Sequence, residues 1–573
     1  MNPSLKVTLG QINPTVGDMP GNIALMRDAA LKAQADGADI VVFPELSLTG
    51  YSPGDLLDDQ LFARRLAQQT EALYEATRAT PHLYWVVGLP IRRKEKGGRP
   101  YFNALQVLLD GDVVHTQFKQ LLPSYSVFQE RRWFEPGPDE AKVTRIDGAR
   151  VGFLICEDGW NDEGHDYDVN PFKRLADASP DLVISINASP SHKGKRQQRH
   201  AVFSKACAHH GLPLLYVAQV GAHDELVFDG ASFAVDSSGR IVFEAERFKA
   251  DTPTLTFEVG SQRFGDRDGD ELAAVEEAGL PAMEFYRQQI VLGLRDYARR
   301  CGFEKVLVGS SGGIDSALTI ALAVEALGAE NVVAITMPSV YSSEGSVSDS
   351  EVLCSNLGVT LHHLPIKHIV TEFSTSMLSS SLGEQPRGLA LENLQARIRG
   401  TLLMTYSNQH GNLLLTTGNK SELCCGYFSI YGDSCGGLNL IGDLYKTEVF
   451  SLSRHINRTA GRVLIPQAII DKAPSAELAP DQKDTDSLPP YEVLDDILKL
   501  LIEGDLLDRD EAIPALDTYM NLKDSEDGAA VIEKVKYLIA RSEYKRRQAP
   551  PIIRLRARAF GSGRQIAITA RQY

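Results

Sequence analysis

The sequence predicts an α/β protein of two layered domains, and three observations lead there. Short apolar strand-like runs alternate with helical stretches along nearly all of the 573 residues, as in sheets covered by helices. Hydrophobic content of 43% against 23% charged residues is that of a globular chain with large cores. A charged, Gly-containing stretch at residues 259–281, poor in large apolar groups, reads as an exposed linker between domains at 1–258 and 282–573. Length alone allows three or four domains, and equally two, because α/β domains of about 250 residues are common.

The charge balance narrows the partners. A net charge of −16 argues against a broad nucleic-acid surface, which needs clustered Lys and Arg. Residues 1–10 show no basic region followed by an apolar core, and no uninterrupted apolar run approaches about 18 residues, so no membrane partner and a cytoplasmic location are expected. The seven cysteines are an odd number without C-x-x-C spacing, which indicates neither a disulfide framework nor a zinc site.

In the first domain the strand-like runs are residues 6–11, 40–43, 84–88, 105–109, 151–155, 182–186 and 214–218. Three run ends carry chemistry. Asp39-Ile-Val-Val-Phe-Pro-Glu45 is a strand stopped by Pro44 that delivers Glu45 to an edge where α/β enzymes place ligands. Gln117-Phe-Lys119 ends a second strand with a lysine, and Val151-Gly-Phe-Leu-Ile-Cys156 ends a third with a cysteine. Singly, Glu45 reads as a helix cap, Lys119 as solvated and Cys156 as core. Together, Phe43-Pro-Glu45, Phe118-Lys119-Gln-Leu-Leu-Pro123 and Ile155-Cys156-Glu157-Asp158 resemble the Glu-Lys-Cys triad of the nitrilase superfamily, whose fold is an α-β-β-α sandwich. The residue types suit amide hydrolysis: a thiolate attacks the carbonyl, a carboxylate takes its proton and an ammonium stabilises the oxyanion. The resemblance implies Cys156 as nucleophile, Glu45 as base, Lys119 as electrostatic partner and Glu130 as a second glutamate that orients lysine and substrate. Leu122-Pro-Ser-Tyr125 and Asn187-Ala-Ser189-Pro with Lys195 resemble the glutamine-binding parts of glutaminase domains in glutamine-dependent NAD⁺ synthetases, implying Tyr125, Ser189 and Lys195 as glutamine ligands; Phe228-Asp229-Gly230 is similarly placed. By residue type, Asn187-Ala-Ser-Pro is equally a plain turn.

The second domain opens with an amphipathic run over residues 283–301, then Val306-Leu-Val-Gly-Ser-Ser-Gly-Gly-Ile-Asp-Ser316 and an apolar helical run. A buried strand, a turn of small residues and a helix start bring free N–H groups to one anion site. Gly309, Gly312 and Gly313 permit positive φ, Ser310, Ser311 and Ser316 add hydroxyls, and no Lys sits where a Walker loop requires one. Ser311-Gly-Gly-Ile314-Asp-Ser316 resembles the pyrophosphate loop of N-type ATP pyrophosphatases, which implies ATP as co-substrate and Asp315 as a Mg²⁺ ligand. Further strands at residues 331–338, 360–364 and 413–416 predict a doubly wound parallel sheet.

Thr416-Thr417-Gly418-Asn419-Lys420-Ser421-Glu422, Tyr427 to Asp433, Asp443-Leu-Tyr-Lys446, Pro474-Ser-Ala-Glu-Leu478 and Asp486-Ser-Leu-Pro-Pro-Tyr491 resemble the synthetase domain of NAD⁺ synthetases. The resemblance implies that Thr417 contacts ATP, that Asn393 and Glu422 contact deamido-NAD⁺, that Lys446 and Lys545 neutralise its phosphates, and that Glu422 joins Asp315 on the metal. The charge run around Lys545 also reads as a solvated basic tail. The two resemblances together imply a ligase that hydrolyses L-glutamine and adenylates deamido-NAD⁺. Because free ammonia is mostly non-nucleophilic ammonium near neutral pH and would dilute in bulk water, an enclosed path for it is expected, and a homo-oligomer. Two other readings stand beside it: another glutamine-dependent adenylating amidoligase, against which the Glu45, Lys119, Cys156 set speaks, and a regulatory protein that senses glutamine and nucleotide without turnover.

Overall fold

A computed structural model describes residues 4–95, 97–275, 279–480 and 482–571. The chain divides into two compact units, residues 1–223 with 227–279, and residues 280–573 with 224–226.

The first unit holds two stacked sheets. One contains β1 (Ser4–Leu9), β2 (Ile40–Val42), β3 (Tyr84–Arg92), β4 (Tyr101–Leu109) and β5 (Asp112–Phe118); the other β6 (Val143–Ile146), β7 (Ala149–Ile155), β8 (Leu182–Asn187) and β9 (Leu214–Ala218). A hairpin follows, β10 (Val220–His223) with β11 (Leu226–Asp229), then β12 (Phe233–Val235) and β13 (Ile241–Glu244) on the second sheet and β14 (Thr254–Glu258) and β15 (Arg263–Gly265) on the first. The orders are β15-β14-β1-β2-β3-β4-β5 and β13-β12-β9-β8-β7-β6. Alternating apolar side chains face inward from both: Val7, Val42, Val86 and Val107 meet Val151, Phe153, Ile184 and Val217 in one buried cluster. Helices α1 (Met19–Ala35) and α2 (Gln60–Thr77) lie against the first sheet, and α3 (Pro171–Asp177) and α4 (Lys195–His210) bury Phe172 and Phe203 against the second. The expected α-β-β-α sandwich is the result.

The expected linker differs from expectation at its start. Residues 263–265 form β15, paired with β14 through Thr256↔Gly265 and Phe257↔Phe264, because Phe264, a large apolar side chain, buries its ring 5.1 Å from that of Phe257. Val275 N–H also bonds Ile241 O at 2.9 Å, so this stretch packs with the first unit rather than hanging free. Residues 276–278 lie outside the described residues.

The second unit opens with α5 (Ala282–Arg300) and builds an all-parallel sheet from β16 (Val306–Gly309), β17 (Val332–Thr336), β18 (Thr360–His363), β19 (Leu413–Thr416) and β20 (Leu438–Asn439), in the order β18-β17-β16-β19-β20. The order reverses between β16 and β19, where doubly wound sheets bind ligands beyond the strand ends. Helices α6 (Ile314–Leu327), α7 (Glu344–Leu357), α8 (Lys367–Ser379), α9 (Leu389–His410), α10 (Lys420–Cys425) and α11 (Lys446–Ala460) link and follow the strands. Then α12 (Gln467–Asp471), α13 (Tyr491–Ile502), α14 (Arg509–Lys523), α15 (Glu526–Arg541) and α16 (Glu543–Arg546) complete a helical layer around Leu494, Ile497, Ile532 and Val535.

Of the three loop glycines, Gly312 alone takes a positive φ, 75°; Gly309 ends β16, and Gly313 caps α6 at φ −100°. A Cβ on Gly312 would stand 2.3 Å from the Ser346 carbonyl oxygen. Gly312→Ala is therefore expected to cost the second unit about 1–3 kcal/mol, read as a lower denaturant midpoint, whereas Gly313→Ala, with only Ser311 Oγ at 3.3 Å from the added Cβ, is expected to be far milder.

Candidate active sites

Strand direction brings the first set of side chains together. β2 pairs parallel to β3, β3 antiparallel to β4 and β4 antiparallel to β5, so β2 and β5 run the same way and end at one edge. Glu45, three residues beyond β2, is fully buried, and Lys119, the residue after β5, is 1% exposed. Cys156 follows β7 on the facing sheet at φ 47°, a left-handed conformation that costs a non-glycine residue strain.

Lys119 Nζ donates to Glu45 Oε1 at 2.8 Å and to Glu130 Oε1 and Oε2 at 2.8 and 2.9 Å. Asn103 Nδ2 donates to Glu45 Oε1 at 2.7 Å, the Ala188 N–H to Glu45 Oε2 at 3.1 Å, and Tyr51 OH to Glu130 Oε1 at 2.8 Å. Burial pushes the Cys156 thiol well above its ordinary value, and the charge of Glu45 adds to this against the pull of Lys119. Burial also lifts Glu130 to about 7 despite Lys119. Burial works against the charge on Lys119, but Glu130 and Glu45 outweigh it and keep the ammonium protonated. Asp158, raised by burial to about 7, accepts the N–H groups of Gln120 and Leu121 at 2.9 and 2.8 Å and of Ile155 at 3.3 Å, which ties the lysine segment to the cysteine turn.

The three expected glutamine ligands occupy different settings. Tyr125, half exposed, donates its hydroxyl to Glu157 at 3.1 Å, and Tyr167 donates to the same carboxylate at 2.9 Å. Ser189 is buried, its carbonyl taken by Arg199 at 2.7 Å, and the Lys195 ammonium lies 3.8 Å over the Trp160 ring. Asp229 is spent on Arg199 at 2.7 Å and Arg247 at 3.1 Å, a buried structural anchor.

In the second unit the turn after β16 and the start of α10 after β19 flank the switch point. Ser311 Oγ and Ser316 Oγ are 3.2 Å apart, Gly313 N–H bonds Ser311 Oγ at 3.2 Å, and Ser310 Oγ bonds Ser350 Oγ at 2.9 Å. Ile314 N–H and Asp315 N–H open α6 without a side-chain cap. Asp315 accepts Lys446 Nζ at 2.5 Å and Asn419 Nδ2 at 2.9 Å, and Lys446 stands 3.6 Å from Glu422. Asn419 and Glu422 form a reciprocal capping box on α10, which fixes the glutamate. Burial and then the charge of Asp315 push Glu422 up to about 8, against Lys446. Asp484, bonded by Tyr491 OH at 2.8 Å, adds negative charge to the same group.

Asn393 Oδ1 accepts the Ser429 hydroxyl, and Thr417 lies half-buried directly after β19. Lys545 is not a solvated tail: its ammonium donates to the carbonyls of Gly426 and Phe428 at 2.7 Å each.

Comparison with known proteins shows the family. The family model for carbon-nitrogen hydrolase matches residues 6–264 and that for NAD synthase residues 286–549. The glutamine-dependent NAD(+) synthetase of Synechocystis sp. is 41% identical over 98% of this chain and 98% of its own length. This chain belongs to the glutamine-dependent NAD⁺ synthetase family. The Thermotoga maritima member is 38% identical over 99% of both chains. The Acinetobacter baumannii synthetase, solved with ADP, superposes with a TM-score of 0.75 at 36% identity, over 99% of this chain and 98% of that one.

Sequence reasoning missed several groups around these family sites. Asn103 sits mid-strand in β4, Tyr51 in a loop, and the Ala188 contact is made by backbone; none has a local signal, because each acts through a partner far away in the chain. Asn419 lay inside a recognised motif without a role, and Asp484 stands two residues before another.

Glu130 generates a pH prediction. Below about 7 it takes a proton and Lys119 loses one of two counter-charges. Glutamine-hydrolysing kcat/KM is expected to fall on the acid side of about pH 7, and Glu130→Gln, which cannot titrate, should be slower and lack that limb. A limb retained in Glu130→Gln would assign it to Asp158.

Proposed function

We propose that the Lys119 cluster and the Ser310–Ser316 turn carry the two halves of one reaction: L-glutamine hydrolysis to glutamate and ammonia, and ATP-dependent amidation of deamido-NAD⁺ to NAD⁺ with release of AMP and pyrophosphate. The observation that carries the residue roles is Lys119 Nζ, held within 2.9 Å of both Glu45 and Glu130 beside a buried Cys156. Cys156 rests as a neutral thiol, so its proton passes to Glu45 as Sγ attacks the glutamine amide carbon. The Lys119 ammonium faces the charge that develops on the carbonyl oxygen. Collapse breaks the C–N bond, Glu45 returns its proton to the leaving nitrogen, and ammonia departs. Water, deprotonated by Glu45, then hydrolyses the thioester and restores the thiol. Tyr125, Ser189 and Lys195 hold the amino acid.

At the second site an oxygen of the nicotinate carboxylate attacks the α-phosphorus of ATP, and pyrophosphate leaves into the N–H and hydroxyl groups of Ser310, Ser311, Gly312, Gly313 and Ser316. Ammonia adds to the acyl-adenylate carbon, loses a proton and expels AMP. Asn393 and Glu422 hold deamido-NAD⁺ and Thr417 holds ATP. Lys446 and Lys545 are the phosphate partners of deamido-NAD⁺ in this reading, although both ammonium groups are engaged by the protein's own oxygens. Asp315, Glu422 and Asp484 oppose the single ammonium of Lys446, a surplus of hard oxygen donors that suits Mg²⁺. Asp315 and Glu422 would hold the ion, which supplies charge neutralisation of the triphosphate.

A cytoplasmic setting fits these substrates and the free state of all seven cysteines. A homo-oligomer fits the exposure of Phe373, Leu378, Leu382 and Leu389 in and after α8. The reading places the glutaminase at residues 1–258 and the synthetase at 282–573.

Separability tests the assignment. Cys156→Ala is expected to abolish glutamine-driven NAD⁺ formation and leave ammonium-driven formation largely intact, while Asp315→Ala removes both and spares glutamine hydrolysis. Loss of about 10²- to 10³-fold is expected for hydrolysis in Lys119→Ala. Loss of ammonium-driven synthesis in a folded Cys156→Ala enzyme would overturn the division of labour.

A further inference from the structure

A cluster away from both sites lies where the loop after Cys156 meets the end of α4. His209 and His210 are the last two residues of that helix, and Asp162 belongs to the loop at residues 160–170. His210 Nε2 is 2.7 Å from Asp162 Oδ1, and His209 Nδ1 is 3.2 Å from Asp162 Oδ2. The two ring nitrogens and the carboxylate oxygen all lie within 4.8 Å of one another.

The surroundings fix this geometry. The His210 ring stacks on Phe172 with centroids 5.4 Å apart and planes 24° apart, and the His209 ring lies 4.3 Å from it. Asn170 Nδ2 holds the Asp162 carbonyl at 2.8 Å, and the Asn161 amide binds Tyr167 O and Val169 O at 2.9 and 2.7 Å. Asp162 and His210 side chains are about nine-tenths buried, whereas His209 is 66% exposed and leaves one side open to solvent. His209 and His210 lie in the last turn of α4, where the helix dipole favours positive charge. Two imidazole nitrogens and one carboxylate oxygen make a donor set for a borderline metal; Mg²⁺, which prefers oxygen ligands, is disfavoured.

We propose that Asp162, His209 and His210 form a binding site for a transition-metal dication of the Zn²⁺ class, completed by water, that fastens the 160–170 loop to the end of α4. A bound ion would replace two separate hydrogen bonds to Asp162 with one shared centre. Its reach includes the glutamine site, because the fastened loop carries Tyr167, whose hydroxyl holds Glu157 next to Cys156.

The test uses the full chain without an affinity tag, freed of metal with a chelator and titrated with ZnCl₂ against a zinc indicator at fixed pH. The expected result is one tight equivalent per chain that millimolar Mg²⁺ does not displace. His209→Ala, at an exposed position, and His210→Ala should each weaken it by about tenfold or more, since even changes in outer partners cost that much at metal sites. Co²⁺ should give a visible ligand-field band in the parent protein that both variants lose. Zn²⁺ should also raise the thermal midpoint of the parent and not of His209→Ala. Equal Zn²⁺ affinity in the parent and both folded variants, as binding at thiols would give, overturns the proposal, as does the absence of a tight equivalent.

Discussion

One buried ammonium organises the first unit. Lys119 has no contact with bulk water, and an ion removed from solvent persists only where opposite charge and hydrogen bonds surround it. Glu45 and Glu130 provide them, and each is itself held, Glu45 by Asn103 and Ala188, Glu130 by Tyr51. The ends of β2 and β5 and the segment at Glu130 are thus locked around one nitrogen atom. Removing Lys119 leaves two buried carboxyl groups without their cation, which costs on the order of 3–5 kcal/mol. The same arrangement dictates the chemistry, because two carboxyl groups against one ammonium leave no room for a resting thiolate. In the proposed mechanism Cys156 stays protonated until substrate arrives, and a base within the cluster takes the proton in step with attack.

The second unit repeats the motif with the balance tipped further. Lys446 is buried between Asp315 and Glu422, with Asp484 close behind. Here negative charge exceeds positive, and burial holds Glu422 up near 8, as expected of a carboxylate lacking enough cations. The family to which the chain belongs uses ATP, and the surplus of carboxylates over ammonium groups beside an array of N–H and hydroxyl donors is the basis for the cation proposed to accompany it. Lys545 shows a different economy of charge: its ammonium is absorbed by two backbone carbonyls, which pins the start of α16 to the loop at Gly426 and Phe428.

The range of each interaction decided what was legible in the sequence. Strand ends with Pro44-Glu45, Phe118-Lys119 and Ile155-Cys156, and the Ser311–Ser316 turn, are written in contiguous residues; the three strand ends together carried a resemblance that none carried singly, and the turn carried one by itself. The bounds of β19 were legible to the residue; β1 was displaced by two, because β-pairing with β14 rather than apolarity decides where it stops. The roles of Asn103, Tyr51 and Asp158 were invisible, since an amide in a strand or a carboxylate after a cysteine has no meaning until the fold supplies its partner. The linker was misjudged at Phe264, where one aromatic ring sufficed to add a strand. Three loop glycines permit positive φ; Gly312 takes it, and the close approach of the Ser346 carbonyl leaves no space there for a Cβ.

The resting state of Cys156 tests the central claim most directly. The rate of alkylation of Cys156 by iodoacetamide, followed in the full chain without substrate, reports the thiolate fraction at each pH. A neutral buried thiol predicts a slow rate that is still climbing beyond about pH 9 with no plateau below it. A plateau reached below about pH 7 would mean a thiolate already formed at rest, and the proton transfer assigned to Glu45 would be contradicted.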